Sequence, residues 1–254
     1  MTALISGANK GIGFETARLL AEKGITAIVG ARDEQRGKAA AERLGQPYVR
    51  LDVTDDSSVR AAATWVEQEY GTLDILVNNA GVVAPKDRRL PSTSSLEVVR
   101  RVFETNVFGV IAVTNAMLPL LRNSPAGRIV NVSSELASMA NALVRDGPIG
   151  ALNDMPHNSS KAAVNMITVS YAKELWDTPI KVNRTDPGWC ATDINGGSGY
   201  RSAEQGAAIA VRLATLGADG PSGAFLQDAG PIPWRDPLAR SPGETPIDRS
   251  TIIN

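Results

Sequence analysis

The sequence Ser6-Gly7-Ala8-Asn9-Lys10-Gly11-Ile12-Gly13 lies between a short apolar run at residues 3–5 and a segment with helical spacing of apolar residues at 12–23. This order predicts a strand, a tight turn and a helix that stops at Gly24. Glycines in such a turn permit positive φ and a close ligand approach, while the free N–H groups of the helix start attract negative charge. We therefore predict that the turn cradles the pyrophosphate of a dinucleotide; a turn that is glycine-rich for structural reasons alone is the alternative.

Strand and helix signals alternate along the rest of the chain. Further strands are predicted at residues 26–31, 48–53, 73–77, 128–132, 180–183 and 223–226. Helices are predicted at residues 33–45, 54–70, 95–121 (with a bend near Gly109 and an end around Pro119), 157–176 and 203–215. Because the strands are too apolar to face water on either side, we predict an α/β fold in which helices cover both faces of a parallel sheet of about seven strands.

The chain is predicted to form one domain over residues 1–234, since it shows neither repeats nor a second domain. Residues 135–156 have no clear periodicity. Because structureless connections of that length are usually functional or mobile, we interpret this segment as a flap near the active site with some helix of its own; plain disorder is the alternative. Prolines among polar residues at 235–254 predict a disordered tail.

Composition favours a small-molecule partner. The formal net charge is −1 and the Lys and Arg residues are scattered, so nothing indicates nucleic-acid binding. No apolar run is long enough to suggest a membrane span, and no metal site is predicted. With the single cysteine Cys190 and no basic and apolar leader before the first strand, we expect a soluble protein of the reducing cytoplasm.

Six short motifs follow one another along the chain between residues 2 and 234. They are the cradle at residues 6–13, Asn78-Asn79-Ala80-Gly81, Thr105-Asn106-Val107-Phe108-Gly109, Asn131-Val132-Ser133-Ser134, Lys161, and Pro187-Gly188 with Thr192. Together they resemble the short-chain dehydrogenase/reductase family, and the insertion before His157 resembles that of its carbonyl reductases. The resemblance implies a Rossmann-type doubly wound sheet that binds NAD or NADP at its carboxyl edge, where the strand order reverses.

The predicted cofactor-binding residues come from six places in the chain. The adenine is assigned to the residues after the third strand, the adenosine side to those after the fourth, and the nicotinamide end to Lys161 and the loop after Pro187. The full set is Gly7, Asn9, Lys10, Gly11, Ile12, Gly13, Arg32, Asp52, Val53, Asn79, Ala80, Gly81, Lys161, Pro187, Gly188 and Thr192. Ordinary turn chemistry at strand ends is the alternative for Asp52, Val53 and residues 79–81.

Charge near the second predicted strand favours NADP over NAD. Lys10 in the cradle and Arg32 directly after the strand place two cations where the 2′-phosphate of NADP would sit. The opposing interpretation uses Asp33 as the acid that binds the ribose 2′-hydroxyl of NAD. In the family pattern that acid ends the strand, where this chain has Ala31, so Asp33 is better explained as a helix cap. We therefore predict NADP(H) as the cofactor.

The catalytic residues implied by the resemblance are Asn106, Ser134 and Lys161, but the position of the family's tyrosine holds His157. In related enzymes the serine holds the substrate carbonyl oxygen and the tyrosine protonates it. The lysine binds the nicotinamide ribose, and the asparagine supports a water relay. His157, the single histidine of the chain, lies one helical turn before Lys161 and on the same face.

Imidazole differs from phenol in reach and in charge. It is shorter, so a water would have to bridge a longer gap to the substrate. Its reference pKa is about 6.5, but a cationic Lys161 nearby disfavours the imidazolium form. Three interpretations stay open for His157: a substitute general acid, a mark of altered chemistry such as imine reduction or a non-redox cyclisation or dehydration, and a sign that the protein only binds NADP or a partner.

The predicted function is NADP(H)-dependent hydride transfer to a small-molecule ketone, aldehyde or imine. No nearby tyrosine clearly replaces His157, since Tyr171 lies further along the same helix and Tyr200 in the loop beyond. Cys190 has no second histidine to activate it and is interpreted as a small apolar filler, while Trp189 is either a wall of the substrate pocket or ordinary packing. A homo-oligomer and a monomer are both compatible with the sequence.

Overall fold

The protein, seen in a computed structural model that describes residues 1–234, contains one mixed sheet and eight α-helices in that part of the chain; the predicted tail at 235–254 lies outside the described residues. The strands are β1 (Thr2–Ser6), β2 (Thr26–Ala31), β3 (Tyr48–Arg50), β4 (Ile75–Asn78), β5 (Arg128–Val132), β6 (Lys181–Thr185), β7 (Phe225–Gln227) and β8 (Gly230–Pro231). The helices are α1 (Gly11–Glu22), α2 (Glu34–Leu44), α3 (Asp56–Tyr70), α4 (Leu96–Phe103), α5 (Gly109–Arg122), α6 (Met139–Ala142), α7 (Met155–Glu174) and α8 (Ala203–Ala214).

The strands follow the order β3-β2-β1-β4-β5-β6-β7-β8. Neighbours from β3 to β7 run parallel, and β7 and β8 are antiparallel. The order reverses between β1 and β4, which confirms the predicted Rossmann-type doubly wound sheet. The eighth strand was not expected; at two residues it is too short to leave a periodic pattern in the sequence.

Both faces of the sheet are buried. Successive residues of one strand enter opposite layers of the core, as Leu4 and Ile5 do in β1 and Leu76 and Val77 do in β4, all of them with no exposed surface. Helices α3, α5 and α7 cover one layer and helices α1, α2 and α8 the other. Burial on both sides explains why the strands read as continuous apolar runs.

The predicted long helix is continuous but changes geometry at its middle. The turn Glu104–Phe108 is a π-helix between α4 and α5, which is where the sequence predicts a bend. Helix α5 passes Pro119 without a break and ends at Arg122, one residue beyond the predicted range 95–121. Leu120 and Leu121 are buried, so packing in the core outweighs the cost of a proline inside the helix.

The combined helix Leu96–Arg122 has 27 residues and is long and apolar enough to cross a membrane by length and composition, with a mean hydropathy of 1.3 in its most apolar window. This corrects the expectation that no such segment exists. Half of that window is buried inside the protein, through residues such as Val113 and Met117. That burial is typical of a helix that packs in a protein core.

Candidate active site

A cleft of about 910 Å³ opens at the carboxyl edge of the sheet, over the point where the strand order reverses. Ends of parallel strands meet there, so residues far apart in sequence come together. With the exception of Asn106, every predicted site residue lines it: Gly7, Asn9, Lys10, Gly11, Ile12, Gly13, Arg32, Asp52, Val53, Asn79, Ala80, Gly81, Ser134, His157, Lys161, Pro187, Gly188 and Thr192.

The glycine cradle has the shape that a dinucleotide needs. Gly11 has φ of +58°, a conformation that L side chains rarely adopt, and it opens α1. Asn79 fastens the cradle to the end of β4, because its Nδ2 donates to Ser6 O at 2.9 Å and to Gly7 O at 3.2 Å. The backbone N–H groups of Asn79 and Ala80 both donate to Ser6 Oγ at 3.0 Å. The cradle is thus held by contacts outside its own turn.

Cations lie at the outer end of the cleft. Lys10, Arg32 and Arg36 line it, and Lys10 Nζ forms a 2.8 Å ion pair with Asp193 Oδ2. Asp33 is a helix cap, as predicted, because its Oδ1 accepts from Arg36 N at 2.9 Å. Arg36 was not predicted from sequence; its place in the first turn of α2, beyond Arg32, is the signal that indicates it. Together the three cations suit a dianionic phosphate.

Asp52 and Val53 form the wall of the cleft beyond β3. The predicted strand at 48–53 ends at Arg50, because Asp52 folds into a turn. Asp52 Oδ1 accepts from Thr54 N at 3.0 Å and from Thr54 Oγ1 at 2.7 Å. Val53 packs on the start of α5, where a Cβ added at Gly109 would lie 2.8 Å from Val53 Cγ2. The side of the cleft near Val53 is therefore braced by the long helix.

Asn106 lies below the cleft, inside the π-helical turn. It is fully buried; its Oδ1 accepts from Val82 N at 2.8 Å, and its Nδ2 donates to Val82 O and to Ser160 Oγ, each at 3.0 Å. Ser160 Oγ in turn donates to His157 O at 2.7 Å. The π turn points Asn106 into this network, as such turns often do at functional sites. Asn106 therefore ties the segment after β4 to the first turns of α7.

Lys161 and Ser134 flank the inner end of the cleft. Lys161 Nζ donates to Val132 O at 2.7 Å, and burial lowers the pKa of Lys161 to about 8. The group therefore remains mainly cationic at pH 7. Ser134 Oγ accepts from Leu136 N at 3.3 Å at the start of the turn Glu135–Ala137. The hydroxyl hydrogen of Ser134 is left available for a ligand.

His157 is neutral in this site. Burial, with the positive charges of Lys161 and Arg89, lowers the pKa of His157 to about 3. Its Nδ1 is buried without a hydrogen-bond partner among the described residues. Asp154 caps α7 by accepting from His157 N at 3.3 Å, and its carboxylate pairs with Arg89 Nε at 3.1 Å. An imidazolium acid is thus essentially absent between pH 5 and pH 9, which argues against the interpretation of His157 as a substitute general acid.

The depressed pKa of His157 predicts a loss of stability in mild acid. The unfolded chain has a pKa near 6.5, so it binds more protons than the folded chain between about pH 6.5 and pH 3, and the free energy of unfolding falls as the pH falls through this window. From pH 7 to pH 5 we expect His157 to account for a loss of about 2 kcal/mol. Urea titrations should show this loss in the wild type but not in His157→Phe. An equal pH dependence of the two proteins would contradict the prediction.

Of the other residues considered from sequence, the two tyrosines lie outside the cleft, whereas Cys190 and Trp189 line it. Tyr171 is buried in the core, where its hydroxyl donates to Asn115 Oδ1 at 2.7 Å. Tyr200 is 82% exposed and is not among the residues that line the cleft. Cys190 is buried, and its Sγ donates to Pro187 O at 3.2 Å, as a small filler would. Trp189 does line the cleft and is 42% exposed.

The 135–156 segment contributes to the cleft at both of its ends. It contains the turn Glu135–Ala137 and the short helix α6, and Leu136 and residues 152–154 line the cavity. Ser138 holds it to the C-terminal part of the described chain through a hydrogen bond to Pro233 O. Three cleft acids were missed from sequence, Asp154, Asp186 and Asp193; the signal for Asp186 is a polar residue at the end of a strand, directly before Pro187.

Comparisons with known proteins agree with this geometry. The family model for short chain dehydrogenases matches residues 1–201. The short-chain dehydrogenase anuI of Penicillium roqueforti is 42% identical over 226 residues, which cover 84% of this chain and 88% of that protein. Carbonyl reductase (NADPH) 1 of Rattus norvegicus is 34% identical over 275 residues, covering 91% and 98%. The crystal structure of NADPH-bound carbonyl reductase from chicken fatty liver superposes with a TM-score of 0.78 at 26% identity, covering 91% of this chain and 97% of that one. On its motifs, its doubly wound sheet and these matches, the chain belongs to the short-chain dehydrogenase/reductase family.

Proposed function

We propose that this protein is an NADP(H)-dependent reductase that transfers hydride to the carbonyl or imine carbon of a small molecule. The observation that carries the proposal is one cleft in which the glycine cradle, the outer cations and the residues Ser134, His157 and Lys161 meet. The NADPH named for the carbonyl reductase relative and for the chicken structure supports the choice of cofactor.

Residues at different places along the cleft would bind different parts of the cofactor. The cradle and the start of α1 would bind the pyrophosphate, and Lys10, Arg32 and Arg36 the 2′-phosphate. Lys161 would bind the nicotinamide ribose, and Thr192 would meet the carboxamide. When bound, NADPH supplies the hydride. Lys10 must exchange Asp193 for the phosphate, so cofactor binding would release the ion pair that joins the cradle to the loop after β6.

Ser134 and His157 would orient the substrate rather than protonate it. The hydroxyl of Ser134 can donate to a carbonyl oxygen, and a neutral imidazole can donate or accept one hydrogen bond. Neither group is a strong acid at neutral pH. An iminium carbon needs no proton when hydride arrives, so the neutral His157 makes imine reduction a substrate class to test beside ketones and aldehydes.

A second candidate function is NADP binding with non-redox chemistry, such as a cyclisation or dehydration, or with no chemistry. The observation that favours it is again the neutral His157 at the position of the family's acid. The two candidates share the cofactor and differ in whether hydride moves.

One experiment separates them. NADPH fluorescence is followed on mixing with the protein, and NADPH oxidation is then measured with activated ketones, aldehydes and cyclic imines from pH 5 to pH 9. We expect enhanced fluorescence and turnover of at least one class. Binding without turnover of any class would support the non-redox candidate, and no binding at millimolar NADPH would contradict both.

The cations Lys10, Arg32 and Arg36 predict that the protein prefers NADPH to NADH. Arg32→Ala should raise the Kd for NADPH about tenfold or more, because a charge-assisted contact to the 2′-phosphate is lost, and it should leave the Kd for NADH nearly unchanged. The matched control is Lys38→Ala, which removes an exposed cation of α2 that pairs with Glu34. Fluorescence titrations measure both constants. Equal weakening of NADPH and NADH would place Arg32 outside the phosphate site.

A further inference from the structure

Asp186 is a buried carboxyl group inside the cleft to which the chemistry described above gives no task. It follows β6 directly and is 6% exposed. It lines the same cavity as Ser134, His157 and Lys161. A buried acid is costly unless it is hydrogen-bonded or neutral, so its position calls for a physical reason.

The hydrogen bonds between the ends of β5 and β6 place Asp186 beside Ser134. Ser133 N donates to Thr185 O at 2.7 Å, and Glu135 N donates to Asp186 Oδ1 at 3.1 Å. Ser134 lies between these two donors. The carboxyl group of Asp186 is therefore held at the backbone N–H that follows Ser134, and both residues line the cleft.

Burial raises the pKa of Asp186 above that of an exposed aspartate. The N–H groups of Glu135 and Gly188 oppose the shift, the charge of Glu135 adds to it, and the charge of Arg201 opposes it. The thiol of Cys190 is a further titratable group near this carboxyl. The net direction is upward, which favours the protonated form that a proton donor needs.

Two other acids of the cleft neutralise cations instead. Burial raises the pKa of Asp154 as well, but its carboxylate pairs with Arg89 at 3.1 Å and caps α7. Asp193 pairs with Lys10 at 2.8 Å and is exposed to solvent. Asp186, in contrast, accepts hydrogen bonds from backbone N–H groups and lies at the inner end of the cleft.

We propose that Asp186 donates the proton for carbonyl reduction in this chain, in the role that the tyrosine has in related enzymes. This rests on the proposed reductase function. As the carbonyl carbon accepts hydride from NADPH and its C=O π bond breaks, the O–H bond of Asp186 breaks and the proton moves to the carbonyl oxygen. The products are an alcohol, NADP⁺ and the carboxylate of Asp186, which takes a proton from water in the cleft.

The test compares Asp186→Asn with the wild type on two substrates that differ in their need for a proton. With a ketone, kcat should fall about 10²-fold in the variant, the usual size of a general-acid contribution. With a preformed N-methylated iminium ion, which becomes an amine without gaining a proton, kcat should change less than about threefold, because this reaction lacks the general-acid step. The new amide side chain would keep an oxygen for the N–H of Glu135, and the exposed Asp219→Asn serves as the control for removal of a carboxylate.

The same substitution is then made in a His157→Tyr background. There a phenol can supply the proton, so Asp186→Asn should lower ketone turnover less than about threefold, because the two donors substitute for one another. The ketone pH profile of the wild type should fall with rising pH through one ionisation that is missing in Asp186→Asn. An infrared titration of the cofactor-free proteins gives a readout independent of turnover: the C=O band that is present in Asp219→Asn and missing in Asp186→Asn should disappear at a higher pH than that of an exposed aspartate.

The outcomes separate this inference from the proposed function. Wild-type protein that binds NADPH but reduces neither substrate overturns the reductase function and this role with it. If the wild type is active, an equal loss on ketone and iminium shows a structural role for Asp186, and a loss on the iminium alone shows an anionic contact to a cationic substrate. No loss on either shows that the proton comes from elsewhere. Each of these three results overturns the inference.

Discussion

In an Asp186→Asn background, His157→Tyr is expected to raise kcat for ketone reduction about 10²-fold at pH 7, the size of a typical general-acid contribution. The imidazole has a pKa of about 3 and carries no dissociable proton of suitable strength at this pH. A phenol has a reference pKa of about 10, which the positive charge of Lys161 one helical turn away would lower towards neutrality. Steady-state NADPH oxidation with an activated ketone measures the gain.

The control for this variant is His157→Phe, which keeps the ring and lacks the hydroxyl. In the same Asp186→Asn background, we expect it to reduce ketones no faster than Asp186→Asn alone does. The N-methylated iminium ion should be reduced at similar rates by all three proteins, since no proton is transferred. A gain in His157→Phe equal to that in His157→Tyr would show that bulk, and not acidity, limits ketone reduction in the Asp186→Asn protein.

Gly13→Val should abolish NADPH binding, raising the Kd by more than about 10²-fold, a loss of about 3 kcal/mol. A Cβ at this position would lie 2.6 Å from Gly7 O and closer still to Asn79 Nδ2. Backbone atoms cannot yield as a flexible side chain can, so the turn must open and its N–H groups lose their alignment with the pyrophosphate. Fluorescence titration with NADPH measures the loss.

Gly217→Ala is the matched control, because nothing lies within 4 Å of the added Cβ. It should bind NADPH like the wild type. Circular dichroism and thermal unfolding of Gly13→Val check that the sheet is retained, since the glycine is buried against the cradle. A folded Gly13→Val protein with unchanged affinity would show that the cofactor does not use this turn.

The proposed roles of His157 and Asp186 have a common physical origin. The side chain of Asp186 and the Nδ1 atom of His157 are both buried, and burial disfavours the charged form of each group. The loss of charge has opposite consequences for the two groups. A neutral histidine has lost its dissociable proton, whereas a neutral carboxyl group has kept its proton. The proton donor would thus be Asp186 at the end of β6 and not a side chain of α7.

Local signals in the sequence were enough for most of the fold. The alternation of apolar runs and helical spacing predicted the parallel sheet, and Asp33 was identified as the cap of α2 from its position alone. The residues that the motifs predicted to bind the cofactor line one cleft. Turns, helix caps and strands depend on residues that are close in sequence, so the sequence alone can predict them.

Other features depended on contacts between distant segments. The end of α5 beyond Pro119 follows from packing of its last turn in the core, and Tyr171 is withdrawn from the site by its hydrogen bond to Asn115. Strand β8 exists through pairing with β7 rather than through a pattern of its own.

By itself the sequence determined the family, the doubly wound sheet and the position of the cradle, and it predicted that His157 stands where the family has a tyrosine. Only the tertiary structure decided that His157 is neutral and that Asp186 is a buried acid that accepts a hydrogen bond from Glu135 N. The physical reason is that a protonation state depends on burial and on charges that approach from other elements, here Arg89 towards His157 and Arg201 towards Asp186. Those distances exist only after the chain has folded.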